Sequence, residues 1–316
     1  MRYRPEEVVA VLDSASDAES VEGFPRVATV SEALAFEPTT ALVGVATQGG
    51  RFPPAWHELL KDCVAAGLDL ESGLHEFVSN DPELVALAAQ HGVALRDLRR
   101  PPAGLDVPSG ANLTHGATTI LTVGSDCAIG KMTVALELDL EARRRGIRSE
   151  FVPTGQTGIA IAGWGISVDA VVADFIAGAA EQLVVDGAER GADVLFVEGQ
   201  GSLLHPAYSG VTLGLIHGSA PHGYVLCHMA GATVVDGDER FPIPPLGELA
   251  ALHERISLLP RPARVYCIAL NTRHLDDADA RRAVEETQEA TGLSADDPVR
   301  FGAGRLVDAL APVLHR

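Results

Sequence analysis

The sharpest chemistry in the sequence lies in the run Gly124, Ser125, Asp126, Cys127, Ala128, Ile129, Gly130, Lys131, Met132 and Thr133. It follows a buried-strand pattern, TTILTVG, and opens a helical one, KMTVALELDLEARRRG. Glycines let the backbone curl so that successive N–H groups point inward, the helix N-terminus adds positive potential, and Lys131 supplies a mobile charge. That is the chemistry of phosphate binding, so the whole run is assigned to a phosphorylated cofactor. Lys occurs only at Lys61 and Lys131, and one of the two stands at this point.

The usual phosphate-loop pattern has four residues between its glycines and Ser or Thr directly after Lys. Here five residues lie between Gly124 and Gly130, and Met132 precedes Thr133. The longer spacing occurs in dethiobiotin-synthetase-like P-loop enzymes, whereas Met132 removes the usual magnesium-binding hydroxyl. Cys127 has two readings: a nucleophile whose thiol pKa the helix N-terminus lowers, or a small side chain where the backbone must face phosphate. The second is preferred.

Downstream, VLFVEGQG places Glu198 at the carboxyl end of an apolar strand, where open α/β sheets bind ligands. Glu198 is a candidate general base, with a turn cap as its structural alternative. The following GSLLHPAYSG and LIHGSAPHG bring His205, Ser209 and His217. His205 is a second candidate base, the His217 region a candidate oxyanion stabiliser, and Ser209 a substrate contact. No carboxylate or Cys lies at ligand spacing among His217, His222 and His228, so no metal site is expected. The Gly-rich stretch Thr154 to Gly158 puts Gln156 where it can cover a ligand. Asn271, ending an apolar strand, is a candidate reader of a nucleotide base. Arg51, Arg240 and Arg273 are candidate clamps for a substrate carboxylate. Gly49, Gly50 and Arg51 follow a buried strand but lack the G-x-G-x-x-G fingerprint, so no dinucleotide is assigned.

These residues need a scaffold, and the sequence supplies an α/β one. Short apolar runs alternate with amphipathic stretches such as PAWHELLKDCVAAG and DPELVALAAQHG, the rhythm of βαβ units on parallel sheets. Asp81 caps a helix that Pro82 opens, and Gly67 and Gly92 close two helices. A long helix is read from Asp169 to Arg190. Pro and Gly cluster between Arg99 and Asn112, which divides the chain into domains 1–110 and 111–316.

Composition narrows the partners. With 24 basic and 43 acidic side chains, the formal charge of −19 opposes a polyphosphate backbone and an anionic leaflet, so neither nucleic acid nor membrane is expected. The N-terminus carries no signal-peptide pattern, and the four cysteines form no C-x-x-C pair. A cytoplasmic protein acting on a small molecule is the expectation, with a homo-oligomer as the ordinary state of such enzymes.

The motifs GSDCAIGKMTVALEL, FVEGQGSLLHPAYS, HGSAP and ALNTR resemble a two-domain family long described as of unknown function, over nearly the whole chain. The resemblance implies a Rossmann-like N-terminal domain followed by a P-loop NTPase-like, dethiobiotin-synthetase-like three-layer domain, and it makes Met132 ordinary within the family. Its members include D-glutamate N-acetyltransferases, which implies acetyl-CoA as co-substrate and an acidic amino acid, D-glutamate first, as acceptor. The alternatives are an ATP- or GTP-dependent kinase or ligase requiring Mg2+, and a nucleotide-binding sensor without turnover.

Overall fold

The structure, a computed structural model, describes all residues except 46, 48, 49, 315 and 316. Its chain contacts separate two units, Met1–Arg100 and Pro101–Arg316.

The first unit contains β1 (Val11–Leu12), β2 (Ser20–Val21), β3 (Phe24–Val27), α1 (Val30–Ala33), β4 (Thr40–Val43), α2 (Trp56–Ala65), β5 (Asp69–Ser72), α3 (Pro82–His91) and β6 (Leu95–Asp97). The strands β4, β5 and β6 pair in parallel in that order, the arrangement that alternating apolar and helical segments require. A small sheet of order β1-β3-β2 precedes them. Leu60, Val64, Leu70, Val78 and Leu84 close the core between α2, α3 and the parallel sheet. Asp81 accepts from the N–H groups of Glu83 and Leu84 and so caps α3. Gly92 ends α3 at φ 68°, the left-handed conformation that glycine adopts without a steric penalty.

The second unit carries β7 (Thr118–Gly124), α4 (Lys131–Arg144), β8 (Ser149–Val152), α5 (Gln156–Ala162), α6 (Ile176–Glu189), β9 (Val194–Val197), α7 (Ser209–Ser219), β10 (Gly223–Met229), β11 (Val234–Val235), β12 (Asp238–Pro242), α8 (Leu246–Arg255), β13 (Arg264–Asn271), α9 (Asp277–Thr291), β14 (Ser294–Asp296) and α10 (Gly304–Leu314). Six strands form one parallel sheet in the order β14-β13-β10-β7-β9-β8. Every residue of β7 is buried, so the sheet is covered on both faces. Helix α4 packs with α10 and α6 with α7. The apolar core runs through Leu121, Val123, Leu183, Leu195, Val197, Leu226 and Ile268.

Two features depart from the sequence reading. The segment expected to be helical from Asp169 begins as two short 3-10 turns, Val168–Ala170 and Ala173–Phe175, and α6 starts only at Ile176. The hairpin of β11 and β12, which turns at Asp236 and Gly237, gives no periodic signal because each strand is too short.

Candidate phosphate-loop site

The loop between β7 and α4 is held from three neighbouring strand ends. Ser125 N–H donates to the Cys227 carbonyl at 3.1 Å, and Ser125 Oγ pairs with His228 Nδ1 at 2.8 Å, both partners on β10. Beyond β9, Ser202 Oγ donates to the Ser125 carbonyl at 3.0 Å. From the end of β13, Asn271 Nδ2 donates to the Ile129 carbonyl at 3.0 Å. The loop then turns through Ala128 at φ 52° and Gly130 at φ 106°, and at the latter only glycine is unstrained. Among the described residues, the N–H groups of Ala128, Ile129, Gly130 and Lys131 meet no acceptor within the protein. Together with the N-terminus of α4 they form a concave set of donors for an anion.

Lys131 lies inside this frame, 6% exposed, with Nζ donating to the Asp126 carbonyl at 2.6 Å. Burial pushes its pKa down, while Cys227, Cys127, Asp126 and Glu198 pull the other way. Its stem passes between two glycines. A Cβ on Gly124 would come within 3.3 Å of Lys131 Cδ and one on Gly199 within 3.2 Å, and the latter would also collide with the Thr122 carbonyl. Gly199 thus serves both the lysine channel and the close approach to β7. Asp126 organises the loop mouth: its carboxylate accepts from Cys127 N–H at 2.6 Å and from Asp236 N–H, in the hairpin turn, at 2.7 Å. Burial pushes the Cys127 thiol up despite Lys131 nearby, which favours the small-side-chain reading over the nucleophile.

Glu198 follows β9 and is 6% exposed. One carboxylate oxygen accepts from the N–H groups of Thr154 at 2.9 Å and Gly155 at 3.1 Å, and its carbonyl accepts from Thr154 Oγ1 at 2.8 Å. The two readings of Glu198 therefore coexist, because it caps the turn into α5 while its charge faces Lys131. Gly158 is required here, since a Cβ would overlap that same carboxylate oxygen. Gln156 opens α5 beside this turn, half-buried.

His205 sits in the turn after β9, 8% exposed, with its ring 4.5 Å from that of Tyr208. A ring nitrogen of His205, Cys127 Sγ and an Asp126 carboxylate oxygen lie within 4.8 Å of one another, a set of soft and hard metal donors. Ala207 N–H donates to His205 Nδ1 at 3.1 Å, however. A metal on the opposite nitrogen needs the hydrogen on Nδ1, where this N–H already points, and a metal on Nδ1 must displace it.

The remaining sequence candidates fall in different places. Ser209 starts α7 with its N–H on the His205 carbonyl. His217 is eight residues further along that helix, about 12 Å at 1.5 Å per residue. Its Nε2 meets the Ile256 carbonyl, and α7 ends beside the start of β7, where His222 N–H donates to the Thr119 carbonyl. His217 thus lies at the amino edge of the sheet, opposite the loop, and is corrected from a catalytic candidate to a structural residue. The Asn271 amide is likewise spent within the protein: besides Ile129 it accepts from Arg273 N–H at 3.2 Å, so it buttresses the loop instead of reading a base. Arg273 is exposed two residues beyond it. Arg240 pairs with Asp238 on the hairpin. Arg51 is exposed in the first unit, and Gly49 lies outside the described residues. His228 is the positioning residue that sequence reasoning missed, since only the pairing of β10 beside β7 brings its ring to Ser125.

Comparison with known proteins agrees with this architecture. Residues 106–307 match the domain of unknown function DUF1611_C, described as a P-loop domain, and residues 12–101 match DUF1611_N, described as Rossmann-like. The chain is 41% identical over 289 residues to a D-glutamate N-acetyltransferase of Tritonibacter scottomollicae, covering 90% of this chain and 85% of the relative. A protein of the same name from Pseudoalteromonas sp is 35% identical over 280 residues, covering 88% and 83%. A crystal structure of a DUF1611 family protein from Anabaena variabilis matches with a TM-score of 0.89 and 43% identity, over 96% of this chain and 91% of that one. The loop framed by β7, β9, β10 and β13 is thus the P-loop of a two-domain chain that belongs to the DUF1611 family.

Proposed function

We propose that the protein transfers the acetyl group of acetyl-CoA to the amino group of an acidic amino acid, D-glutamate being the first candidate. The observation that carries the proposal is the donor-lined loop around Lys131, in a chain closely similar to two proteins named D-glutamate N-acetyltransferase. Coenzyme A carries a diphosphate, which such a loop binds without phosphoryl transfer. Met132 at the position of the usual magnesium-binding hydroxyl suits a diphosphate held by N–H groups and a lysine without a metal.

Transfer requires the amine to lose a proton as its nitrogen attacks the thioester carbonyl, with the C–S bond breaking and the proton passing to the departing thiolate. Glu198, a buried carboxylate at the carboxyl edge of the sheet, is the proton acceptor we assign. Arg273, exposed beside the loop's Asn271 buttress, is the carboxylate clamp we assign. Among the described residues, no helix is long and apolar enough to cross a membrane.

The test is incubation of the purified protein with D-glutamate and either acetyl-CoA or Mg-ATP, reading free thiol and ADP. Thiol release that depends on the amino acid is the expected result. ADP formation without thiol release overturns the proposal in favour of a kinase or ligase, and binding with neither product in favour of a sensor.

A further inference from the structure

His205 gives one ring nitrogen to the protein and, among the described residues, leaves the other without a protein partner. Its Nδ1 accepts from Ala207 N–H at 3.1 Å, so Nδ1 holds the lone pair and the hydrogen of the neutral ring sits on Nε2. The residue is held in place. Its backbone N–H donates to the Ser202 carbonyl, its carbonyl accepts from Ser209 N–H, and Tyr208 lies against its ring. The side chain is 8% exposed, and among the described residues Nε2 has no protein partner, yet it is not among the atoms sealed from solvent. A nearly buried imidazole with one open N–H thus stands close to Cys127 of the loop. The titratable groups around it are Asp126, Cys127 and Tyr208.

We propose that His205 is a neutral hydrogen-bond donor to the phosphoryl group held at the loop, and not a proton acceptor. A base would need a free lone pair directed at the substrate, and the only lone pair of the neutral ring is occupied by Ala207. An imidazole N–H supplies what phosphate oxygens accept. The ligand class is a phosphoanhydride, such as the diphosphate of coenzyme A. The inference rests on the phosphate-binding reading of the loop and is independent of acetyl transfer.

The experiment titrates coenzyme A and, separately, inorganic pyrophosphate into the full-length wild-type protein, His205→Ala and His205→Gln, with the thermal midpoint of each variant recorded. Gln places an N–H near the position of Nε2. His205→Ala should weaken both ligands about tenfold or more, as for a charge-assisted hydrogen bond, while His205→Gln stays within about threefold of wild type. Unchanged pyrophosphate affinity in His205→Ala overturns the inference. Absence of binding by the wild-type protein removes the anion and the inference together, whereas binding without thiol release counts only against acetyl transfer. Nitrogen-15 spectra of the wild-type ring, which need no variant, should place the hydrogen on Nε2; a hydrogen on Nδ1 also overturns it.

Discussion

The carboxylate of Asp126 joins two backbones, accepting from Asp236 N–H at 2.7 Å in the hairpin turn and from Cys127 N–H at 2.6 Å in the phosphate loop. A negative charge therefore stands at the mouth of an anion site and occupies one of its donors. Asp126→Asn keeps an acceptor there and removes the charge. It should tighten pyrophosphate binding by about two- to fivefold, the effect of a partly exposed like charge, and calorimetric titration at two salt concentrations should show the gain shrinking at high salt.

Burial opposes the charge of Lys131, which gives two linked outcomes. Its pKa is lowered, so the charge that attracts a diphosphate is lost as pH rises through that lowered value, earlier than for an ordinary lysine. Affinity for coenzyme A in the wild-type protein should fall with rising pH before the ordinary lysine value of 10.5 is reached, and stay flat in Lys131→Arg. Lys131→Met should lose about a hundredfold or more in affinity, yet raise the thermal midpoint of the ligand-free protein by roughly 2–4 °C, because a buried charge is replaced by an apolar stem.

Glu198 is assigned the proton transfer, and Gln at this position can still accept from the N–H groups of Thr154 and Gly155. Glu198→Gln should lower kcat by about a hundredfold or more while coenzyme A binds within about threefold of wild type. A loss confined to binding would show that Glu198 acts only through the turn it caps.

Gly199 is fixed by contact and not by turn geometry. Any Cβ there collides with the Thr122 carbonyl of β7 and presses on Lys131 Cδ at 3.2 Å. Gly199→Ala should destabilise the protein by about 3 kcal/mol or more, read as a fall in the urea midpoint, and take phosphate binding with it.

Burial pushes the imidazoles of His228 and His253 down to about 4. An unfolded histidine titrates near 6.5, so between these values the unfolded chain binds more protons, and the stability from a neutral buried ring is complete above 6.5 and lost as pH falls toward 4. Each ring accounts for up to roughly 3 kcal/mol of this acid sensitivity. Urea midpoints between pH 4.5 and 8 should fall on acidification, and His253→Phe should flatten the slope while leaving the loop intact. An unchanged slope would count against the buried-histidine account.

Much of both units is legible in the residues themselves. The P-loop, the cap at Asp81 and the ends at Gly67 and Gly92 are set by interactions spanning a few residues, so a turn or helix terminus carries its signal in its own composition. Lys131 was identifiable for the same reason, because the charge stands within the motif that needs it. The short hairpin at Asp236 and the late start of α6 were not legible, since contacts with other elements, and not local periodicity, decide them.

The companions of the loop were decided by the tertiary structure alone. Strand order β13-β10-β7-β9 brings Asn271, His228 and Glu198, far apart in sequence, to the edge where the loop begins, and the same packing carries His217 to the opposite edge. The sequence by itself determined that a P-loop exists and which lysine it carries. Which side chains flank that loop, and whether each offers a lone pair or a hydrogen, depends on parallel pairing between distant strands and on single hydrogen bonds such as that from Ala207 to His205, which no local pattern encodes.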